Sequence, residues 1–166
     1  MSQVSAHVLE ASEWQLYRDL RLRALEDSPD AFGTTLADAL SRPVEDWSTR
    51  LSNLSRHENL PLIGEVDRQP AGLTWGMIHP PDRSIAHLYQ MWVDPKFRGL
   101  GLGRRLIDSV LEWAKNEGVA AVRLGVTCGD TPALRLYAAV GFQPIGAAEA
   151  IRPGSDLLGQ NMELRF

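Results

Sequence analysis

The sequence predicts an α/β fold of the mixed α+β kind: a central, mostly antiparallel sheet of about six to seven strands with helices on both faces. Two apolar runs, residues 60–66 and 71–78, flank a polar turn and read as a hairpin, so the first half pairs antiparallel. Residues 84–127 read as strand, glycine-rich turn, amphipathic helix and strand, a unit that supplies one parallel pair. Near the end, Met162, Leu164 and Phe166 alternate with Asn161, Glu163 and Arg165, the period-two pattern of a strand with one face in the core.

In chain order, residues 4–10 form a short first strand. Ser12 and Gln15 have the spacing of a capping box, which places a helix start there. That helix carries Trp14, Tyr17, Leu20, Arg21, Ala24 and Leu25 at helical spacing and ends at Ser28-Pro29. A second helix begins near Pro43, a residue suited to a first turn, with Val44, Trp47, Leu51 and Leu54 on one stripe. Asp67-Arg68-Gln69-Pro70 joins the hairpin strands, and residues 84–93 make a third long strand closed by Asp94-Pro95. The helix over residues 102–117 sets Leu102, Leu106, Ile107, Val110, Leu111 and Ala114 on one face and stops at Gly118. Residues 121–127 are a strand. Thr131 caps and Pro132 opens a short helix that Gly141 ends, and strands at 142–145 and 161–166 close the sheet.

With 166 residues, 44% hydrophobic and 23% charged, the chain fits one domain with its own core. A formal net charge of −4 with no basic stripe argues against a nucleic-acid partner and mildly favours cationic substrates. Cys128 is the single cysteine, so no internal disulfide forms and a reducing compartment fits. Residues 1–10 lack a basic start followed by an apolar stretch, and no apolar run approaches the roughly 18 residues that span a bilayer. The expectation is a cytoplasmic protein with no membrane partner. His7, His57 and His79 show no metal-ligand spacing, so no metal is expected.

The most informative segment runs from Val93 through Asp94, Pro95, Lys96, Phe97, Arg98, Gly99, Leu100, Gly101, Leu102 and Gly103 to Arg104. A strand ends, glycines follow, and a helix starts. Free N–H groups at a helix start suit a phosphate, glycines allow close approach, and Arg98, Arg104 and Arg105 add charge. The same glycines also fit a turn that merely packs tightly. A nucleoside triphosphate loop is excluded because no Gly-Lys-Ser/Thr follows. The dinucleotide fingerprint fails too: counted from Gly99 its third glycine falls on Arg104, and counted from Gly101 on Leu106.

Residues Arg98 to Gly103 match Gln/Arg-x-x-Gly-x-Gly/Ala, and with the preceding Met91-Trp92-Val93-Asp94-Pro95 they resemble the GNAT superfamily of acetyl-CoA-dependent N-acetyltransferases. Thr131-Pro132-Ala133-Leu134-Arg135-Leu136-Tyr137, continuing to Gly141-Phe142, is similar to that family's Ala-x-x-Leu-Tyr-x-x-x-Gly-Phe segment. The motifs cover about residues 88–142. The resemblance implies acetyl transfer from acetyl-CoA to a primary amine through a ternary complex. Acceptor-side elements would lie at about 1–60 and an acetyl-CoA-binding core at about 84–142. Main-chain N–H groups of Gly99, Leu100, Gly101, Leu102, Gly103 and Arg104 would hold the CoA pyrophosphate, Arg98 would add its charge to the cofactor site, and Met91, Trp92 and Val93 would pair with the pantetheine arm. A backbone N–H near Val93 would polarise the thioester carbonyl. The strand from Ala121 would splay away and leave a wedge.

Tyr137 stands where family members place an acid beside the CoA sulfur; the alternative is a core aromatic packed on Ala133 and Leu134. For the base, the ribosomal-protein-acetylating branch's Glu aligns with Gly125, and the histone-acetylating branch's Glu, eleven residues before the motif Arg, aligns with His87. His87 is thus the candidate base, with Glu65 second and a water chain to solvent a third route. Asp130 occupies the place of an Asn that contacts CoA; an ionised Asp accepts but does not donate. Cys128 reads as a small apolar filler. The acceptor pocket falls to residues 28–35, with Phe32 and Glu65 as substrate-binding residues, and to residues 79–83; Asp27 and Asp30 either attract an ammonium or are solvated. The oligomeric state stays open, a homodimer being one option because dimers are common in such families and in general. The competing reading is a non-catalytic acyl-CoA-sensing module.

Overall fold

The structure is a computed structural model that describes residues 1–166. Its seven strands are β1 (Val4–Val8), β2 (Asn59–Val66), β3 (Gln69–Ile78), β4 (Ile85–Val93), β5 (Ala121–Thr127), β6 (Gln143–Ala150) and β7 (Leu158–Arg165). They lie in the order β1-β2-β3-β4-β5-β7-β6, and only β4 and β5 run parallel. The β2–β3 turn is tighter than the sequence suggests. Asp67 and Arg68, both with positive φ (49° and 69°), make it alone, while Gln69 and Pro70 join β3. A two-residue turn of that hand matches the twist of the strands it connects.

Five helices cover the sheet: α1 (Trp14–Asp27), α2 (Leu36–Leu40), α3 (Val44–Thr49), α4 (Leu102–Asn116) and α5 (Pro132–Val140). Tyr17, Leu20 and Leu25 of α1 pack with Trp47, Ile63, Leu73, Trp75 and Trp92 in one core layer. On the other face Leu102, Leu106, Ile107 and Val110 of α4 pack with Leu62, Leu88, Val122, Tyr137 and Phe142. Burying each such side chain is worth about 1.5–3 kcal/mol, so α4 is held by its apolar stripe rather than by propensity.

Several local expectations shift. The cap at the start of the first helix uses Glu10 and Glu13, whose carboxylate accepts the Glu10 N–H at 2.9 Å, instead of Ser12 and Gln15. The second helix is two short pieces. Thr35 caps α2, which the sequence pattern hides in five residues; Pro43 precedes α3, and Val44 is exposed. Strand β6 extends to Ala150 and β7 starts at Leu158, both longer than their apolar pattern, because the two keep pairing with each other, Glu149 with Gly159 and Ala150 with Leu158, past the stretch that faces the core.

What positions the site is the parting of β4 and β5. They pair only at Ile85–Ala121, Ala86–Val122 and His87–Arg123. Past that point β4 stays with β3 and β5 stays with β7. A bulge in β4 accompanies the parting: Tyr89 faces Trp75 and Trp92 faces Leu73, so Gln90 and Met91 share one position on β3. Gln90 takes φ +59°, which re-aims the strand. Two side chains pin this bend. The Tyr17 hydroxyl donates to Gln90 Oε1 at 2.8 Å, and the Thr74 hydroxyl donates to the Tyr89 carbonyl at 2.9 Å.

Candidate active site

The wedge between β4 and β5 opens into a cleft of about 1030 Å³. Leu88 to Val93 form one wall and Gly125 to Thr127 the other. Thr131 to Ala133, with Leu136 and Tyr137 of α5, close one end, and residues 28–34 roof it. Beyond His87 the β5-facing edge of β4 has no strand partner, so its backbone groups are open to an extended ligand.

At the foot of the wedge lies the glycine-rich turn. Gly99 and Gly101 take φ +81° and +88°, and a Cβ on either would meet nothing within 4 Å. Here glycine answers a backbone need, since left-handed geometry costs other residues about 1–2 kcal/mol. Gly103 answers a packing need: its Cβ would lie 3.0 Å from Leu136 Cδ2 and 3.4 Å from Met91 Cε. The first helical bond runs from the Arg105 N–H to the Gly101 carbonyl at 3.1 Å, and the N–H groups of residues 99–104 donate to no backbone acceptor. A row of free N–H groups at a helix start is an anion cradle. Arg98 is occupied elsewhere: its Nε donates to the Val93 carbonyl at 2.9 Å and its Nη2 to Asp27 at 3.0 Å. Arg104 pairs with Asp108 one turn along α4.

Tyr137 is 5% exposed and lines the cleft, set edge-on against Phe142. Burial pushes its phenol well above the ordinary tyrosine value, so it stays protonated across the working pH range. Thr131 caps α5 by accepting the Leu134 N–H at 3.1 Å, fixing the helix that carries this tyrosine. Tyr89 of β4 lines the cleft too, and burial raises its phenol as well. Its hydroxyl meets His79 Nε2 at 3.0 Å. His87 does not line the cleft. Its ring stacks behind Tyr89 at 5.7 Å and lies 5.1 Å from His79. Burial, with the charges of His79 and Arg123, lowers its imidazolium below the usual range, leaving the ring neutral at pH 7.

The other sequence candidates divide. Met91 and Val93 face the α4 side, while the Trp92 side chain turns to the opposite layer and donates to Asp27 at 3.0 Å, leaving its backbone to the cleft. Asp27 is held low first by that Trp92 bond, then by Ser28 and Arg98. Phe32 lines the roof, and its carbonyl accepts Arg152 Nη1 at 2.9 Å. Glu65 lies outside the cleft, on β2, bound to His7 Nδ1 at 2.6 Å. Asp130 is solvent-facing beside Arg135, and Leu100 is exposed at the turn's crest. Cys128 is exposed, not an apolar filler, because β5 has ended and the chain is leaving the sheet.

Against known families, the model of the acetyltransferase (GNAT) family matches residues 15–142. The chain belongs to the GNAT acetyltransferase family. Among curated relatives, mycothiol acetyltransferase of Thermomonospora curvata is 35% identical over 120 residues, covering 72% of this chain and 37% of the relative. The Acidothermus cellulolyticus mycothiol acetyltransferase is 31% identical, covering 85% and 45%. The chain thus spans less than half the length of these relatives. Two solved folds agree closely. A GNAT-family acetyltransferase from Streptococcus pneumoniae superposes with TM-score 0.82 at 19% identity over 99% of both chains. An N-acetyltransferase from Thermoplasma acidophilum in complex with coenzyme A gives 0.72 at 17% identity, again over 99% of each.

Within this GNAT chain, motif reading passes over three cleft residues. Asn161 of β7 reaches the floor, where a Cβ on Gly125 would lie 3.5 Å from its Oδ1. It comes from the far end of the sequence, and only the β5–β7 pairing of Gly125 with Asn161 brings it in. Gln90 is exposed to the cleft by the bulge, which alternation cannot foresee. Arg21 sits on the apolar stripe of α1 and reaches the same roof as Phe32.

Proposed function

We propose that this chain is an acetyl-CoA-dependent N-acetyltransferase that moves the acetyl group directly to a primary amine in a ternary complex. The free N–H row of residues 99–104, facing a wedge that Tyr137 overlooks, is the observation that carries the reading. Family membership, the acetyltransferase names of the relatives and the fold shared with a CoA-bound acetyltransferase support it. Acetyl-CoA would supply an activated acyl thioester. In this chain the N–H groups from Gly99 to Arg104 hold the pyrophosphate, and the free edge of β4 from Met91 to Val93 orients the pantetheine arm. A β4 N–H near Val93 stabilises the carbonyl oxygen as charge grows on it.

The residues then handle two protons. The amine nitrogen bonds to the acyl carbon, the carbon–sulfur bond breaks, and Tyr137 gives its phenolic proton to the departing sulfur. The nitrogen sheds its surplus proton to solvent as the amide forms, and solvent restores the phenolic proton of Tyr137. An amine with a solution pKa of about 10 enters as ammonium and must lose a proton first. The hydrogen-bonded Tyr89–His79 pair leads from the cleft to the exposed edge at His79, and neutral His87, stacked behind Tyr89 with no hydrogen bond to either, would act as the base through solvent. The test is CoA release measured with a thiol reagent across a panel of amines. Amine-dependent release supports transfer; acetyl-CoA binding without release for any amine would leave the sensor reading.

A further inference from the structure

Arg21 is 4% exposed, lines the cleft and stands 4.6 Å over the Phe32 ring, yet its Nη1 is buried with no hydrogen-bond partner. Isolated charges are costly to bury, and a buried guanidinium is ordinarily matched by a carboxylate. Here the neighbours aggravate the cost. Arg42 and Arg50 pack over Trp47, and their charges add to burial in lowering Arg21 to about 10, still cationic at neutral pH. Arg50 Nε is a second buried donor without a partner. The carboxylates that line the cleft are Asp27 and Asp30, and Asp27 is already bound by Trp92, Ser28 and Arg98. Three arginines therefore converge behind one wall with no counter-anion from the chain.

We propose that the acceptor is a small amino acid whose carboxylate is received by Arg21, an inference that rests on the acetyl-transfer reading above. Arg21 lies one helical turn, about 5.4 Å, from Tyr17, whose hydroxyl holds the β4 bulge beside the wedge. The anion site and the bulge that bounds the wedge are therefore held by neighbouring turns of α1. The planar guanidinium lies over the Phe32 ring, and its N–H fork matches a carboxylate's two oxygens. The overall charge of −4 mildly favours cationic acceptors, but the local field at this wall is positive.

The test compares each of a set of amino acids with its own amide, as kcat/KM per free amine, together with the matching aminophosphonates. The acid should exceed its amide at least about tenfold, and Arg21→Gln should level the pair while leaving the KM for acetyl-CoA unchanged. Equal rates for acid and amide in the wild type overturn the proposal, as does a preference that survives Arg21→Gln or an aminophosphonate that outruns its carboxylate. The wild-type ratio decides even where Arg21→Gln does not fold. Failure of every amine, amides included, refutes acetyl transfer itself, whereas turnover of amides without preference for acids refutes only the role of Arg21.

Discussion

Replacing Gly101 by Glu places a carboxylate among the free N–H groups without crowding anything. No atom lies within 4 Å of the Cβ position, so the cost to folding is the left-handed φ of +88°, about 1–2 kcal/mol. A domain stable by roughly 5–15 kcal/mol survives that. The ligand does not fare as well. A carboxylate about 5 Å from a phosphate charge, at an effective dielectric near 20, repels it by roughly 3 kcal/mol, or about a hundredfold in affinity. Gly101→Ala carries the same backbone strain without the charge and serves as the reference. Calorimetry with acetyl-CoA on both folded variants should show Gly101→Glu weaker by about two orders of magnitude. Equal affinity for the two would refute a phosphate site at this turn.

Tyr137→Phe should keep acetyl-CoA affinity while kcat falls by roughly 10²–10⁴-fold, read by steady-state CoA release; an unchanged rate with chemistry limiting makes Tyr137 a packing residue. His87 works as a base only when neutral, and its lowered pKa puts the acidic limb of kcat/KM below about 6.5. His87→Gln should abolish that limb; a limb that instead follows the pKa of the amine belongs to the substrate. His7 tests the fold instead of the site. Burial lowers its pKa, but bonds to Glu13 and Glu65 win and raise it. The stability it adds is full below about pH 6.5 and fades as pH climbs through the raised value. Melting curves at pH 5.5 and 8 should therefore differ less in His7→Ala than in the wild type, by a small margin because the imidazole is 39% exposed.

Elements written in a local code were legible. The α4 stripe, the Gly141 stop and the alternation in β7 each state their partner face, and the turn from Arg98 to Gly103 states a helix start with room for an anion. Features fixed by non-local pairing were not. Thr35 caps a five-residue helix too short to show a period. The bulge at Gln90 depends on the register of β3 against β4, and Asn161 enters the cleft only through β7. Glu65 read as a cleft residue because it lies in the hairpin that precedes β4, yet two strands separate it from β5 and His7 claims its carboxylate. Arg21 is hidden more deeply: on the apolar stripe of a helix a single arginine looks like a snorkelling surface residue, and only its burial without a partner marks it.

Direct transfer inside one cleft has a kinetic signature that separates it from a ping-pong route through an acyl-enzyme. Initial rates of CoA release, measured while acetyl-CoA and an accepted amine are varied together, should give double-reciprocal lines that intersect, because both substrates occupy the wedge before the carbon–sulfur bond breaks. Parallel lines, with acetyl-labelled protein trapped in the absence of amine, would mean an acyl-enzyme and would contradict the account.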